Sequence, residues 1–169
     1  MLLNDVGPTA GTQQKVIAIA QNSDGAPGIA YVDFSAGSAT TGKLKYASRN
    51  GPGSGATWTK YLIPGATSPQ FPSLAFDHLK RPWIGYFDAS VNKFYLATNT
   101  ASDGSGTWLT YEFPTIPSGA PGALPRANNT GVGMYYSGDI AHPVLVVLDN
   151  NATSLGIKSA TLNNTTRLS

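Results

Sequence analysis

Three stretches of the chain lie over one another without a gap: residues 17–33 (IAIAQNSDGAPGIAYVD), 72–88 (PSLAFDHLKRPWIGYFD) and 133–149 (GMYYSGDIAHPVLVVLD). Pro27, Pro82 and Pro143 coincide, as do Ile29, Ile84 and Leu145. The same holds for Tyr31, Tyr86 and Val147, and for Asp33, Asp88 and Asp149. In the middle stretch apolar residues alternate at Leu74 and Phe76 and again at Ile84 and Tyr86, on either side of the polar connector HLKR. Alternation of period two around a short polar turn is the pattern of a half-buried antiparallel hairpin. A chain that writes this hairpin three times is built from one β-unit used three times.

The residues that follow each hairpin extend the unit. Lys43 and Lys93, Ala47 and Ala97, Thr57 and Thr107, Trp58 and Trp108, Tyr61 and Tyr111, and Pro64 and Pro114 match at a constant offset. The first unit therefore carries strands near residues 16–21, 28–33, 43–48 and 57–63. The second carries them near 73–77, 83–88, 93–98 and 107–113. The offset is 55 residues over the hairpin and 50 beyond it, so the connection between second and third strands is the variable one. The third unit has strands near 132–136, 144–148 and 156–162 and no fourth. Four antiparallel strands in about 50 residues is the size of a propeller blade. The expected fold is all-β, a β-propeller-like array of three four-stranded antiparallel blades: blade one about residues 15–64, blade two about 72–114, a linker over 115–129, and blade three about 130–162. The N-terminal residues 1–8 or a partner would supply the missing strand. Closed propellers have roughly 4–8 blades, so another copy or another chain is expected to complete the ring and cover the open edges.

Composition agrees with short strands and tight turns, since only 12% of residues are charged while Gly (19) and Pro (12) are plentiful. The net charge of +2 is spread over single Lys and Arg residues, a pattern without the basic stripe that nucleic acid requires. Without cysteine there is no disulfide, zinc-thiolate or thiol chemistry. The longest strongly apolar run, residues 144–148, is far too short to span a membrane. The opening MLLNDV lacks the charged and long apolar regions of a signal peptide.

The pattern P-S-L-A-F-D, P-W-I-G-Y-F-D, K-F-Y-L-A-T, G-T-W resembles the bacterial propeller repeats of the sialidase-like, Asp-box superfamily over nearly the whole chain, with the third unit matching least. In that superfamily the turn before the fourth strand reads S-x-D-x-G-x-T-W. Residues 102–108 (SDGSGTW) and 55–58 (GATW) keep Thr-Trp without the full spacing. The resemblance implies a propeller in which these turns are structural and lie away from the active face. It also raises sialidase-like glycoside hydrolysis, which in the family uses an arginine triad, a Tyr/Glu nucleophile and an Asp acid/base. This chain has Arg49, Arg81, Arg126 and Arg167 but one glutamate, Glu112, on a strand expected at a blade's outer edge. Hydrolysis needs two carboxylates facing one sugar, and a fold alone does not confer activity. No catalytic residue is assigned, and the chain is read as not an enzyme.

Asp33, Asp88 and Asp149 could form a ring of carboxylates binding a cation or sugar hydroxyls, or could accept hydrogen bonds from the following turn. Repetition in every unit favours the second role. Trp58 and Trp108 could stack on sugars, though matched positions favour packing between blades. The Gly-rich turns lack the helix and Lys of a phosphate cradle, and His78 and His142, in the turns between first and second strands, have no cysteine and no clear cluster of acidic ligands nearby for a metal. No metal and no cofactor is expected. One face of the array would gather Gln70, Phe71, Asn92, Arg126, Asn128, Asn150 and residues 35–41. The candidate ligand-binding residues are Asp33, Asp88, Asp149, Gln70, Phe71, Arg126 and Asn128. That face is polar and nearly uncharged, which suits a glycan or a surface protein. The expected function is a non-catalytic binding or assembly module outside the cell or at its surface. The alternatives are a carbohydrate-binding lectin with sites recurring between blades, a sialidase-like hydrolase fragment, and a displayed subunit of a surface filament.

Overall fold

A computed structural model of the chain describes residues 17–34, 42–51, 55–112, 127–137, 140–151, 154–161 and 166–168. These residues are all-β, with every sheet antiparallel and no closed barrel among them. Strands β1 (Ile17–Gln21), β2 (Pro27–Asp33), β3 (Lys43–Arg49) and β4 (Trp58–Leu62) form a four-stranded sheet in chain order. Strands β5 (Pro69–Phe76), β6 (Pro82–Asp88), β7 (Lys93–Asn99) and β8 (Trp108–Glu112) form a second. The third sheet holds β9 (Ala127–Ser137), β10 (Ile140–Asn151) and β11 (Ser154–Thr161).

Several boundaries differ from the sequence expectation. Strand β5 starts at Pro69 rather than near 73, running through Pro72. It has one ladder neighbour, β6, so its prolines leave no central hydrogen bond unmade. Strand β9 begins at Ala127, inside the stretch read as linker, and β10 runs two residues past Asp149, which therefore lies within the strand. The short β12 (Thr166–Leu168) does not complete the third sheet. It pairs with β8, Thr166 opposite Glu112 and Leu168 opposite Thr110, making the second sheet five-stranded. An outer strand with unpaired N–H and C=O groups gains a partner this way. Residues 1–8 lie outside the described residues.

The two first hairpins use one hydrogen-bond scheme. Asn22 accepts the N–H groups of Asp24 and Ala26 on Oδ1, each at 3.0 Å. Fifty-five positions later, Asp77 Oδ1 accepts those of Leu79 (3.0 Å) and Arg81 (2.9 Å). An Asx side chain that mimics a backbone turn is what these residues supply to a tight connection. Gly25 and its counterpart Lys80 both take left-handed φ, at 80° and 62°. Only glycine adopts this without steric cost. Asp77 does more than Asn22: its Oδ2 also receives the Arg81 guanidinium at 2.7 Å and the Trp83 indole N–H at 3.1 Å.

The first two sheets stack face to face. Ala18, Ala20, Ala30, Val32, Leu44 and Tyr46 on one side meet Leu74, Ile84, Tyr86, Tyr95 and Ala97 on the other. Small residues on the first sheet leave room for rings on the second, where Tyr86 and Tyr95 stack at 5.4 Å. Tyr46 reaches across to meet Trp108 edge-on at 5.7 Å. On the far side of the second sheet, β9 lies against β5 and β6, and Phe87, Phe94 and Leu96 are buried. The middle sheet is thus covered on both faces, which is why β6 is buried at every position.

Ile84 sits at the centre of the contact, fully buried. Ile84→Ala should lower the unfolding free energy by about 2–5 kcal/mol, the usual range for emptying such a site. Val91→Ala, in an exposed turn, should stay within about 0.5 kcal/mol. Guanidinium denaturation of both variants checks the contrast.

Candidate functional site

The carboxylates of Asp33 and Asp88 are buried at the ends of β2 and β6. Asp33 is paired with Lys45. Asp88 accepts four hydrogen bonds, from the N–H groups of Thr67 (2.8 Å), Ser68 (3.2 Å) and Ser90 (3.0 Å) and from Ser90 Oγ (2.6 Å). Both carboxylates are thus engaged in holding neighbouring strands and turns. Gln70 is half-buried opposite Phe87, and Phe71 is buried with φ 52° at a register shift between β5 and β6. Asp88, Gln70 and Phe71 therefore share one end of the second sheet. Arg126 falls outside the described residues. Asn128 and Asp149 lie on β9 and β10, Asp149 opposite Gly156, with side chains outside the description.

A cleft lies at the other end of the sheets, about 20 Å away along β2 at 3.3 Å per residue. Its volume is about 330 Å³. The floor is Tyr46 and Tyr61 of the first sheet, the near wall Asn22, Asp24, Ser48, Arg49 and Asn50, and the far wall Phe76, Ser102 and Asp103 of the second. Two turns make the rim. In the first, Asn50 Oδ1 accepts Thr57 N–H at 2.9 Å. In the second, Asn99 holds the whole loop: its Nδ2 donates to the carbonyls of Gly104 (3.1 Å) and Gly106 (3.0 Å), and its Oδ1 accepts the N–H groups of Ala101 and Gly106, each at 2.9 Å.

Gly104 lets this loop seat on the first sheet. It has φ 89°, and a Cβ there would stand 2.7 Å from the Tyr46 ring. Both facts demand glycine. On the opposite side, Lys80 Nζ meets Asp24 at 2.5 Å, tying the two hairpin turns together. The cleft is therefore a product of sheet stacking: no single unit contains both of its walls.

Ser105, through its N–H (3.0 Å) and Oγ (2.7 Å), holds the Asp103 carboxyl below the ordinary aspartate range, so it is an acceptor at neutral pH. Burial, helped by the nearby Asp103 charge, pushes the Tyr46 phenol well above its ordinary value and keeps it a donor. No three His, Asp or Glu side chains gather as a metal site among the described residues. The Asp residues expected to matter mark the opposite end. The polar turns NSDGA and TASDGSG are visible in the sequence, but their convergence on Tyr46 is not.

Tyr86 is the second phenol held protonated, by burial first and by the Asp88 charge second. The fold favours the neutral form, so below pH 10 it adds no pH dependence. Above the ordinary phenol value of 10.0, the unfolded chain releases a proton that the folded one retains. Stability should then fall by about 1.4 kcal/mol per pH unit from this group. Tyr86→Phe should flatten the alkaline limb of a denaturation-against-pH series by that amount, with its neutral-pH stability as the reference.

Compared with protein-family models, curated proteins and solved structures, the chain matches none.

Proposed function

We propose that the chain is a non-catalytic carbohydrate-binding module of propeller type, acting outside the cell or at its surface. The observation that supports this is the cleft between the first two sheets, where aromatic rings and planar polar side chains converge. Tyr61 and Phe76, both half-buried, offer apolar faces for the C–H side of a sugar ring. Asp24, Asp103, Asn50 and Arg49 bring acceptors and donors for sugar hydroxyls to the same cleft. The volume is at the small end of ligand sites, suited to a single sugar residue of a longer glycan.

Two carboxylates in one cleft also invite glycoside hydrolysis, and the electrostatics speak against it. A general acid needs a carboxyl whose pKa is raised so that it carries a proton near neutrality. Asp103 is shifted the other way by Ser105, and Asp24 is exposed and paired with Lys80. These groups suit binding without bond cleavage.

A glycan array probed with a multivalent form of the protein should therefore give a restricted set of positive sugars. For the best of them, Asp103→Asn and Tyr46→Phe should each weaken binding about tenfold, the worth of one hydrogen bond to a buried or charged partner. Because Asp103 stays ionised to below its ordinary range, affinity should hold from neutrality through mild acid and drop only in strong acid. Silence across the array, or binding indifferent to both substitutions, would refute the assignment.

A further inference from the structure

Three residues that line the cleft, Asp24, Asn50 and Asp103, are each followed by glycine. They are the three Asp-Gly and Asn-Gly pairs of the whole sequence. Such pairs share a reaction: the glycine nitrogen, with no Cβ beside it, attacks the side-chain carbonyl carbon and closes a five-membered imide. Attack needs an uncommitted nitrogen, room to approach and a group that can leave. At Asp24 and Asp103 the nitrogen is committed. Gly25 N–H donates to the Asn22 carbonyl at 3.0 Å, and Gly104 N–H donates to the Ala101 carbonyl at 3.3 Å. Both glycines are also fixed at left-handed φ, 80° and 89°. Their carboxylates are poor targets, because an ionised carboxylate repels a nucleophile and has nothing to expel. Asp24 is paired with Lys80, and Ser105 holds the Asp103 carboxyl below its ordinary range.

Asn50 has none of these protections. Gly51 N–H has no acceptor among the described residues. A Cβ at Gly51 would meet nothing within 4 Å, so the approach to its nitrogen is open. Asn50 is exposed and carries an amide, whose nitrogen can leave as ammonia. Thr57 alone holds that amide among the described residues: its N–H donates to Oδ1 at 2.9 Å, and its Oγ1 accepts from Nδ2 at 3.0 Å. Exposed hydrogen bonds of this kind exchange with water at little net cost. The N–H on Oδ1 also draws electrons from Cγ, which favours attack there. Asn22, Asn92 and Asn99 precede serine, lysine and threonine, whose side chains crowd the attacking nitrogen, and Asn99 is buried as well.

We propose that Asn50 is a modification site: the Gly51 nitrogen and then water convert it, without an enzyme, to aspartate or isoaspartate in the wall of the cleft. In the first step the bond from Gly51 N to Asn50 Cγ forms and the Cγ–Nδ2 bond breaks. The proton of Gly51 N–H leaves with Nδ2 as ammonia. Water then opens the imide at Cγ, giving aspartate, or at the backbone carbonyl carbon, giving isoaspartate. Neither step oxidises or reduces anything. The product sets a new carboxylate beside those of Asp24 and Asp103 and lowers the formal charge of +2 by one. The site is independent of the sugar assignment, because it is read as a mass and a charge and not as binding.

The folded protein, held at mildly alkaline pH and sampled over weeks, is digested with trypsin and mapped by mass spectrometry. The Asn50–Lys60 peptide should grow heavier by about one dalton and accept a methyl group from an isoaspartyl methyltransferase. Peptides holding Asn22, Asn92 and Asn99 should keep their mass, and those holding Asp24 and Asp103 should take no methyl group. In guanidinium, where the Gly25 and Gly104 hydrogen bonds are gone, the two aspartates should become methyl acceptors. Gly51→Ala fits the open space and puts a Cβ beside the attacking nitrogen, so it should slow conversion of Asn50 roughly tenfold with circular dichroism unchanged. Three results would each overturn the proposal: Asn50 unchanged in the folded protein while the denatured chain converts, Asn22 or Asn92 converting as fast, or a Gly51→Ala protein as reactive as the parent.

Discussion

The face-to-face contact between the first and second sheets is the interaction on which the rest of the structure depends. It works because the two faces are unequal in size. Ala18, Ala20 and Ala30 present a shallow surface, and Tyr86, Tyr95, Ile84 and Leu74 fill the space above it. Apolar area removed from water stabilises by about 25 cal/mol per Å², so rings packed on a bed of alanines gain from the surface they bury. Tyr46 is the largest side chain that the first sheet's strands bury in this contact. It projects far enough to touch Trp108 and the loop at Gly104, and so links the core to the rim.

Polar groups then fasten what the core aligns. Asn22 and Asp77 occupy matching positions and close matching turns, yet one is an amide and the other a carboxylate. The difference follows from the neighbours. Asp77 also faces the Arg81 guanidinium and the Trp83 indole, and it is buried, so a charge there is matched by donors on both oxygens. A buried carboxylate without such partners would be costly. Asn99 plays the same part for the loop over the cleft, donating twice through Nδ2 and accepting twice on Oδ1. Rigid turns on a stacked scaffold are what allow side chains from two units to hold a common cleft.

The hairpins could be recognised from residues alone because alternation, turn chemistry and proline placement are local properties. Pro27 and Pro82 open their strands, where a missing N–H does little harm. Pro72 lies inside β5, which begins four residues before the strand expected near 73, and it is tolerated there because that strand has a ladder neighbour on one side alone. Asp33 and Asp88 drew attention as repeated carboxylates, and their repetition reflects a position where turns and neighbouring strands need an acceptor or a counter-ion. Asp24 and Asp103 carry no such repetition, and nothing in their spacing ties one to the other.

The sequence by itself placed β1 to β11, though not all of their ends, and their antiparallel pairing between neighbours within each unit, since these depend on side chains a few residues apart. Only the tertiary structure decided which face of each sheet is covered and that β12 pairs with β8. It also decided that the turns at 22–26 and 99–107 meet over Tyr46. The physical reason is that an alternating strand offers two faces of similar chemistry. Which one is buried is decided by the sheet that arrives on it, from residues distant in the sequence.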